Sequence, residues 1–266
     1  MEVRKLNLCL HSGGHEAIFD DVRAVETPAA TETWCPIPHH ELVDIVTETL
    51  GRNGLHVVNQ VHALWSDGNR YFGAMQLTNG AAHDDYALVV GLRNSHDKTF
   101  PAGLACGSGV FVCDNLAFSG EVRLSRKHTA RIRDDLPRLI NTAVGRLGTM
   151  KVNQDKRIAA YKEVTISDIQ AHDLIVRAVD AKALGLTHIP SVLDHWRKPA
   201  HEEFGLRTAW SLFNAFTEDY KTASAVTLAA RSVLLHGVFD QLCGLRVMEE
   251  QFADAEIQGG LPAFAL

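Results

Sequence analysis

The chain contains no run of about 18 apolar residues, the length a helix needs to cross a bilayer, so no membrane partner is expected. Its first residues, MEVRKLNLCLHSGG, lack the unbroken apolar core of a secretory signal. Cysteine is scarce: five in 266 residues, an odd number, scattered through apolar runs. That argues against a disulfide-stapled scaffold and for free thiols in a reducing cytoplasm. Neither HExxH nor CxxC occurs. His11 and His15 straddle a Gly-Gly turn, and His39 and His40 are adjacent, so the fourteen histidines suggest no metal site. Positive charge is also short, with 26 Lys and Arg against 32 Asp and Glu and a net charge of −6. This balance excludes a protein that coats duplex DNA by bulk charge, but not one with a local basic groove.

The phosphate-binding glycine motifs are missing as well. GLACGSG, residues 103–109, carries no Walker lysine and no dinucleotide fingerprint, and its serine does not sit in a GxSxG elbow. No cofactor is expected.

What is present is a core-forming composition, 46% apolar, with two successive periodicities. LNLCLH and AIFDDVRAV suggest a hairpin across residues 11–14. Leu42, Val43, Ile45, Val46 and Leu50 then follow a helical spacing. From residue 55 the period changes to that of strands. LHVVNQVHALWS and RYFGAMQLT flank the hairpin signal Asp67-Gly68, and DDYALVVGLRNS and GLACGSGVFVCDN follow after short turns. At least four strands in close succession favour an antiparallel sheet over βαβ units. Gly103, Gly107 and Gly109 imply a bulge or a close backbone approach.

Beyond Gly120 the pattern reads as helical throughout. Asp134, Asp135 and Pro137 look like a helix start, and residues 165–168 resemble a capping box. The stripe Trp210, Phe213, Phe216 and Tyr220 marks an apolar helix face. The expected fold is α+β: one domain over residues 1–266, β-rich to residue 122, helical over 123–250, with a loose tail at 251–266. A split near residue 122 is the alternative.

Three constellations carry polar chemistry. RNSHD puts Arg93, Asn94, Ser95, His96 and Asp97 at a strand end, where His96 and Asp97 suit a general base and its orienter. The bland reading is a turn closed by its own side chains. Asp114 and Asn115 end the following strand, and an antiparallel neighbour would bring them beside that turn. The stretch RLSRKHTARIR, residues 123–133, holds Arg123, Arg126, Lys127, Arg131 and Arg133 without an acid. As a helix it would align Arg123, Lys127 and Arg131 in one stripe able to track phosphates, with Arg93 and Lys98 as further contacts. A solvated, balanced face is the dull alternative.

The segments LRNSHDKTFPAGLACGSGVFVCDNLAFSGE and TAWSLFNAFTEDY resemble the phage- and plasmid-associated family called domain of unknown function 932. The likeness rests on residues 93–97, on Val112–Asn115 as V-C-x-N, and on Asn214–Glu218 as N-A-x-T-E, and covers most of residues 40–235. It implies a protein around DNA with no agreed activity and transfers no catalytic residue. It also suggests that Asn214 and Glu218 join Asn94, Ser95 and Asn115 in a structural polar cluster, with Asn214 bonding the 94–97 turn.

Three function classes follow. The first is a non-enzymatic protein binding single-stranded nucleic acid through the basic segment. The second is a hydrolase of a phosphorylated or nucleotide substrate, with His96 as base, Asp97, Asp114 or Asn115 orienting it and Arg93 holding the anion. The third is an oligomeric scaffold with a large apolar patch on its helices.

Overall fold

The computed structural model describes residues 14–78, 86–110, 116–221, 223 and 225–245. The expectations for the 1–13 part of the first hairpin, for Asp114 and Asn115, and for the 251–266 tail lie outside these residues. The chain divides into two compact units, Met1–Asp114 with Val122–Met150 and Asn115–Glu121 with Lys151–Leu266.

The first unit is built on the sheet. Strands β1 (His15–Ala17), β2 (His56–Trp65), β3 (Arg70–Thr78), β4 (Tyr86–Ser95), β5 (Ala102–Val110) and β6 (Leu116–Arg126) lie in sequence order, a simple meander. Strands β1 to β5 pair antiparallel, Trp65 with Arg70, Phe72 with Arg93 and Arg93 with Gly103. All ten residues of β4 are buried, which is why its sequence is apolar on both faces. The β2–β3 turn places Ser66, Asp67 and Gly68 in the left-handed region, the demand its Asp-Gly pair answers.

Two readings of this unit require correction. AIFDDVRAV is not the second arm of a hairpin: after β1 it forms helix α1 (Phe19–Ala24), whose polar residues Asp20, Asp21 and Arg23 leave Val22 as the buried position. Residues 116–126 form a sixth strand, which carries strand structure to residue 126 where a helix was expected from residue 123. The buried-exposed alternation of Val122, Arg123, Leu124 and Ser125 has period 2, and the nearby charges obscured it. Helix α2 (His39–Arg52) follows the expected spacing and buries Leu42, Val43, Val46 and Leu50. Helix α3 (Ile132–Gly145) starts before Asp134, so Pro137 lies inside it.

The second unit is helical: α4 (Leu147–Glu163), α5 (Asp168–Asp180), α6 (Ile189–Arg197), α7 (Ala209–Tyr220) and α8 (Ala225–Leu242). The capping box of α5 is Ser167 with Gln170, two residues beyond the expected start. Thr208 caps α7 by accepting from the Ser211 amide. Trp210, Phe213, Phe216 and Tyr220 are all buried, as is most of the rest of α7, which makes it the core helix of this unit. Phe213 and Phe216 each meet the Phe239 ring of α8 nearly edge to face.

Candidate functional site

The RNSHD turn closes largely on itself. Ser95 Oγ accepts from the Phe100 amide at 3.1 Å and donates to the Phe100 carbonyl at 2.7 Å. Asp97 accepts from Arg70 Nε at 2.6 Å and from the Thr99 amide, and Arg70 Nη2 reaches Thr99 Oγ1. These bonds hold the Asp97 carboxylate below the usual range although its partial burial opposes that. Asp97 therefore orients Arg70 rather than His96, and the expected general-base pair is not formed.

Behind the turn lies a cluster that spacing alone does not reveal. Asn94 is fully buried at the end of β4, and its amide donates to the Ile37 carbonyl at 2.7 Å and to His39 Nδ1 at 3.0 Å. Its Oδ1 accepts from His128 Nε2 at 2.7 Å. His39 opens α2 and places its Nε2 2.8 Å from the Gly68 carbonyl, so the left-handed turn supplies an acceptor to the cluster. His96 Nε2 sits 2.9 Å from the Ile37 carbonyl, which thus takes two donors. The His39 and His96 rings stack with centroids 3.9 Å apart and planes 6° from parallel.

The carbonyl partners fix the tautomers. His39 and His96 carry their protons on Nε2, and His39 Nδ1 accepts from Asn94. Burial is the main cause that lowers the basicity of all three imidazoles, with His39 driven down to about 3 and His128 to about 4; the neighbouring His96 lowers both further. Beside them, His62 Nδ1 meets Tyr71 Oη at 2.9 Å, and burial raises the phenol well above its ordinary range. Each ring is neutral, hydrogen-bonded and closed off from solvent, which is the state of a structural lock.

Arg93, expected to clamp an anion, is only 4% exposed. It lies across Gly103, where an added Cβ would come within 3.1 Å of its Nε, and beside the Phe100 ring. Burial lowers its basicity to about 10. The close approach expected at the β5 glycines is thus real at Gly103, while the β4–β5 register runs from Tyr86 to Arg93 without a bulge. Burial leaves little of Arg93 for a phosphate to meet in this arrangement. Lys98 is exposed, its Nζ 4.8 Å over the Trp34 ring.

The basic segment is not a helical stripe. Arg123 and Arg126 belong to β6, Lys127 to the link, and Arg131 caps α3. Arg126 donates through Nε and Nη2 to one Asp135 oxygen at 3.2 and 2.7 Å, and Arg133 Nη1 reaches both Glu41 oxygens at 2.9 and 3.0 Å. Arg123, Lys127 and Arg131 are solvent-exposed.

In the second unit Asn214 donates to the Trp210 carbonyl one turn back, and Glu218 pairs with Lys221 at 2.7 Å. Asn94 is served by Ile37, His39 and His128, and Ser95 by Phe100. Asn214 and Glu218 line a shallow hollow with His195, His201 and Ser211. A separate buried network joins Arg157, Asp240 and Tyr161. Arg157 Nε and Nη2 hold the carboxylate at 2.8 and 2.9 Å, and Tyr161 Oη donates to it at 2.6 Å. No group of three or more His, Cys, Asp or Glu among the described residues is arranged to hold a metal ion.

A family model described as "Domain of unknown function (DUF932)" matches residues 29–234. No curated protein and no solved structure matches the chain. The matched span contains all three motifs of the resemblance and every residue of the histidine cluster.

Proposed function

The chain belongs to the family of unknown function DUF932, and from its own surface we propose that it is a non-enzymatic protein that binds single-stranded nucleic acid through the β6–α3 corner. The setting proposed with it is cytoplasmic, in the DNA metabolism of mobile elements. The observation that carries the reading is the exposure of Arg123, Lys127 and Arg131 within nine residues of a chain whose net charge is −6. Arg126 and Arg133 are engaged by Asp135 and Glu41, so the corner offers fewer phosphate contacts than the five cations of the sequence suggest. If all three exposed cations meet phosphate, the salt slope is about −2 for a single strand.

Fluorescence anisotropy with a labelled single-stranded oligonucleotide, titrated at two salt concentrations, tests this. The triple variant Arg123→Ala, Lys127→Ala, Arg131→Ala should lose binding and flatten the slope. Salt-independent binding, or full affinity in the triple variant, would retire the reading.

A hydrolase built on His96 is less well supported, because that ring is buried and Asp97 serves Arg70. The oligomeric scaffold has one observation in its favour: Ile169, Leu186 and Leu206 of the second unit are large apolar side chains held largely in solvent. Light scattering after size-exclusion chromatography checks it, and a monomer at high concentration would remove it.

A further inference from the structure

We propose that Asn94, His39, His96 and His128 form an acid-operated latch that holds segment 34–38 and link 127–131 onto the end of the sheet and lets both go when the imidazoles take up protons. The inference stands whether or not the β6–α3 corner binds nucleic acid.

The geometry supplies the mechanism. Segment 34–38 is held by the Ile37 carbonyl, which accepts from Asn94 and His96, and by the Cys35 amide, which donates to the His128 carbonyl at 3.0 Å. The link is held by His128 Nε2 on Asn94 Oδ1. One amide therefore joins both segments to β4. With neutral rings every donor in this set faces an acceptor. A second proton on His39 must go to Nδ1, where the Asn94 N–H already points across 3.0 Å, so two donors would oppose each other. Rotating the Asn94 amide to relieve that would turn its oxygen onto the Ile37 carbonyl and its N–H onto His128 Nε2. One proton thus sets three buried hydrogen bonds against one another. The 3.9 Å stack adds repulsion if His39 and His96 are both charged.

The surroundings do little to accommodate that charge. His39 faces His96, His128, His40 and the neutral Tyr71 ring, with the Gly68 carbonyl already bonded. His128 faces His96 and the cationic Arg126. His96 alone has favourable neighbours, the Ile37 and Glu26 backbone and Asp97, and its Nδ1 is buried without completing a hydrogen bond. Glu41 on α2 is held by Arg133. Because folding lowers the affinity of these rings for protons, the unlatched form binds more protons at acid pH. The latch is therefore intact above the ordinary imidazole range near 6.5 and weakens as the pH falls through it toward 4. For His128 alone, with a value of about 4 when latched, going from pH 7 to pH 5 favours the open form roughly twentyfold.

Hydrogen–deuterium exchange on the whole chain at pH 7 and pH 5, corrected for intrinsic exchange rates, tests the latch. Peptides over 34–38 and 127–132 should lose about twentyfold in protection or more at pH 5, while β3 and β4 keep theirs. His128→Gln keeps an amide donor for Asn94 Oδ1 but cannot titrate, and should reduce the response of both segments. Equal protection at the two pH values, or uniform loosening of the sheet together with the segments, overturns the proposal. Should the variant fail to fold, the wild-type comparison decides alone.

Discussion

His128 Nε2 donates to Asn94 Oδ1 across 2.7 Å, joining residues 34 apart in sequence. The bond belongs to an asparagine whose side chain ties two loop segments to the core strand β4. Asn94→Ala would leave the Ile37 carbonyl with one donor fewer and leave His39 Nδ1 and His128 Nε2 without this partner. At about 1 kcal/mol per buried bond lost, the expected cost is about 3 kcal/mol, read from urea unfolding. A loss under about 1 kcal/mol would mean that water replaces the amide freely.

Gly73 is expected to resist even alanine. Tyr71, two residues earlier on the same face of β3, lays its phenol over the glycine to reach His62, and an added Cβ would overlap Tyr71 Oη. Gly73→Ala should destabilise by about 1–3 kcal/mol through overpacking. The partner variant Tyr71→Phe, Gly73→Ala should recover part of that loss, and the absence of any recovery would place the strain elsewhere.

The buried pair Arg157–Asp240 should be far more sensitive to removal of one partner than to removal of both. Asp240→Ala leaves a guanidinium enclosed without its carboxylate, at a cost of about 3–5 kcal/mol. Replacing Arg157 by Met and Asp240 by Leu together should cost much less. Tyr161→Phe removes one donor to a charged acceptor, about 2 kcal/mol. Thermal unfolding of the three variants orders them, and a double variant as damaged as Asp240→Ala would refute the account.

Releasing the engaged arginines should strengthen the proposed nucleic-acid surface. Glu41→Gln with Asp135→Asn removes the carboxylates that hold Arg133 and Arg126. If the corner binds single strands, the salt slope should steepen from about −2 toward about −3.5 as two more cations reach phosphate. An unchanged slope would show that the arginines at this corner do not meet the ligand.

Legibility in the sequence followed the locality of the interaction. Strands β2 to β5 and helix α2 were readable because alternation, helical spacing and the Asp67-Gly68 turn are properties of neighbouring residues. Strand β6 was misread because five cations dominate the composition of residues 123–133 while Val122 and Leu124 supply only two alternating apolar positions. In the candidate site, Asn94, Ser95 and His96 stood out as a polar knot, whereas His39 and His128 did not. Their spacings from Asn94, 55 and 34 residues, carry no periodic signal.

The sequence by itself determined a meander of strands followed by helices, since each element there depends on short-range pattern. Only the tertiary structure decided that Asp97 binds Arg70, that Arg93 is buried over Gly103, and that two histidines converge on one asparagine with a third stacked beside them. Those outcomes depend on which faces pack together, and on the need of every buried donor for an acceptor that the chain brings from far away.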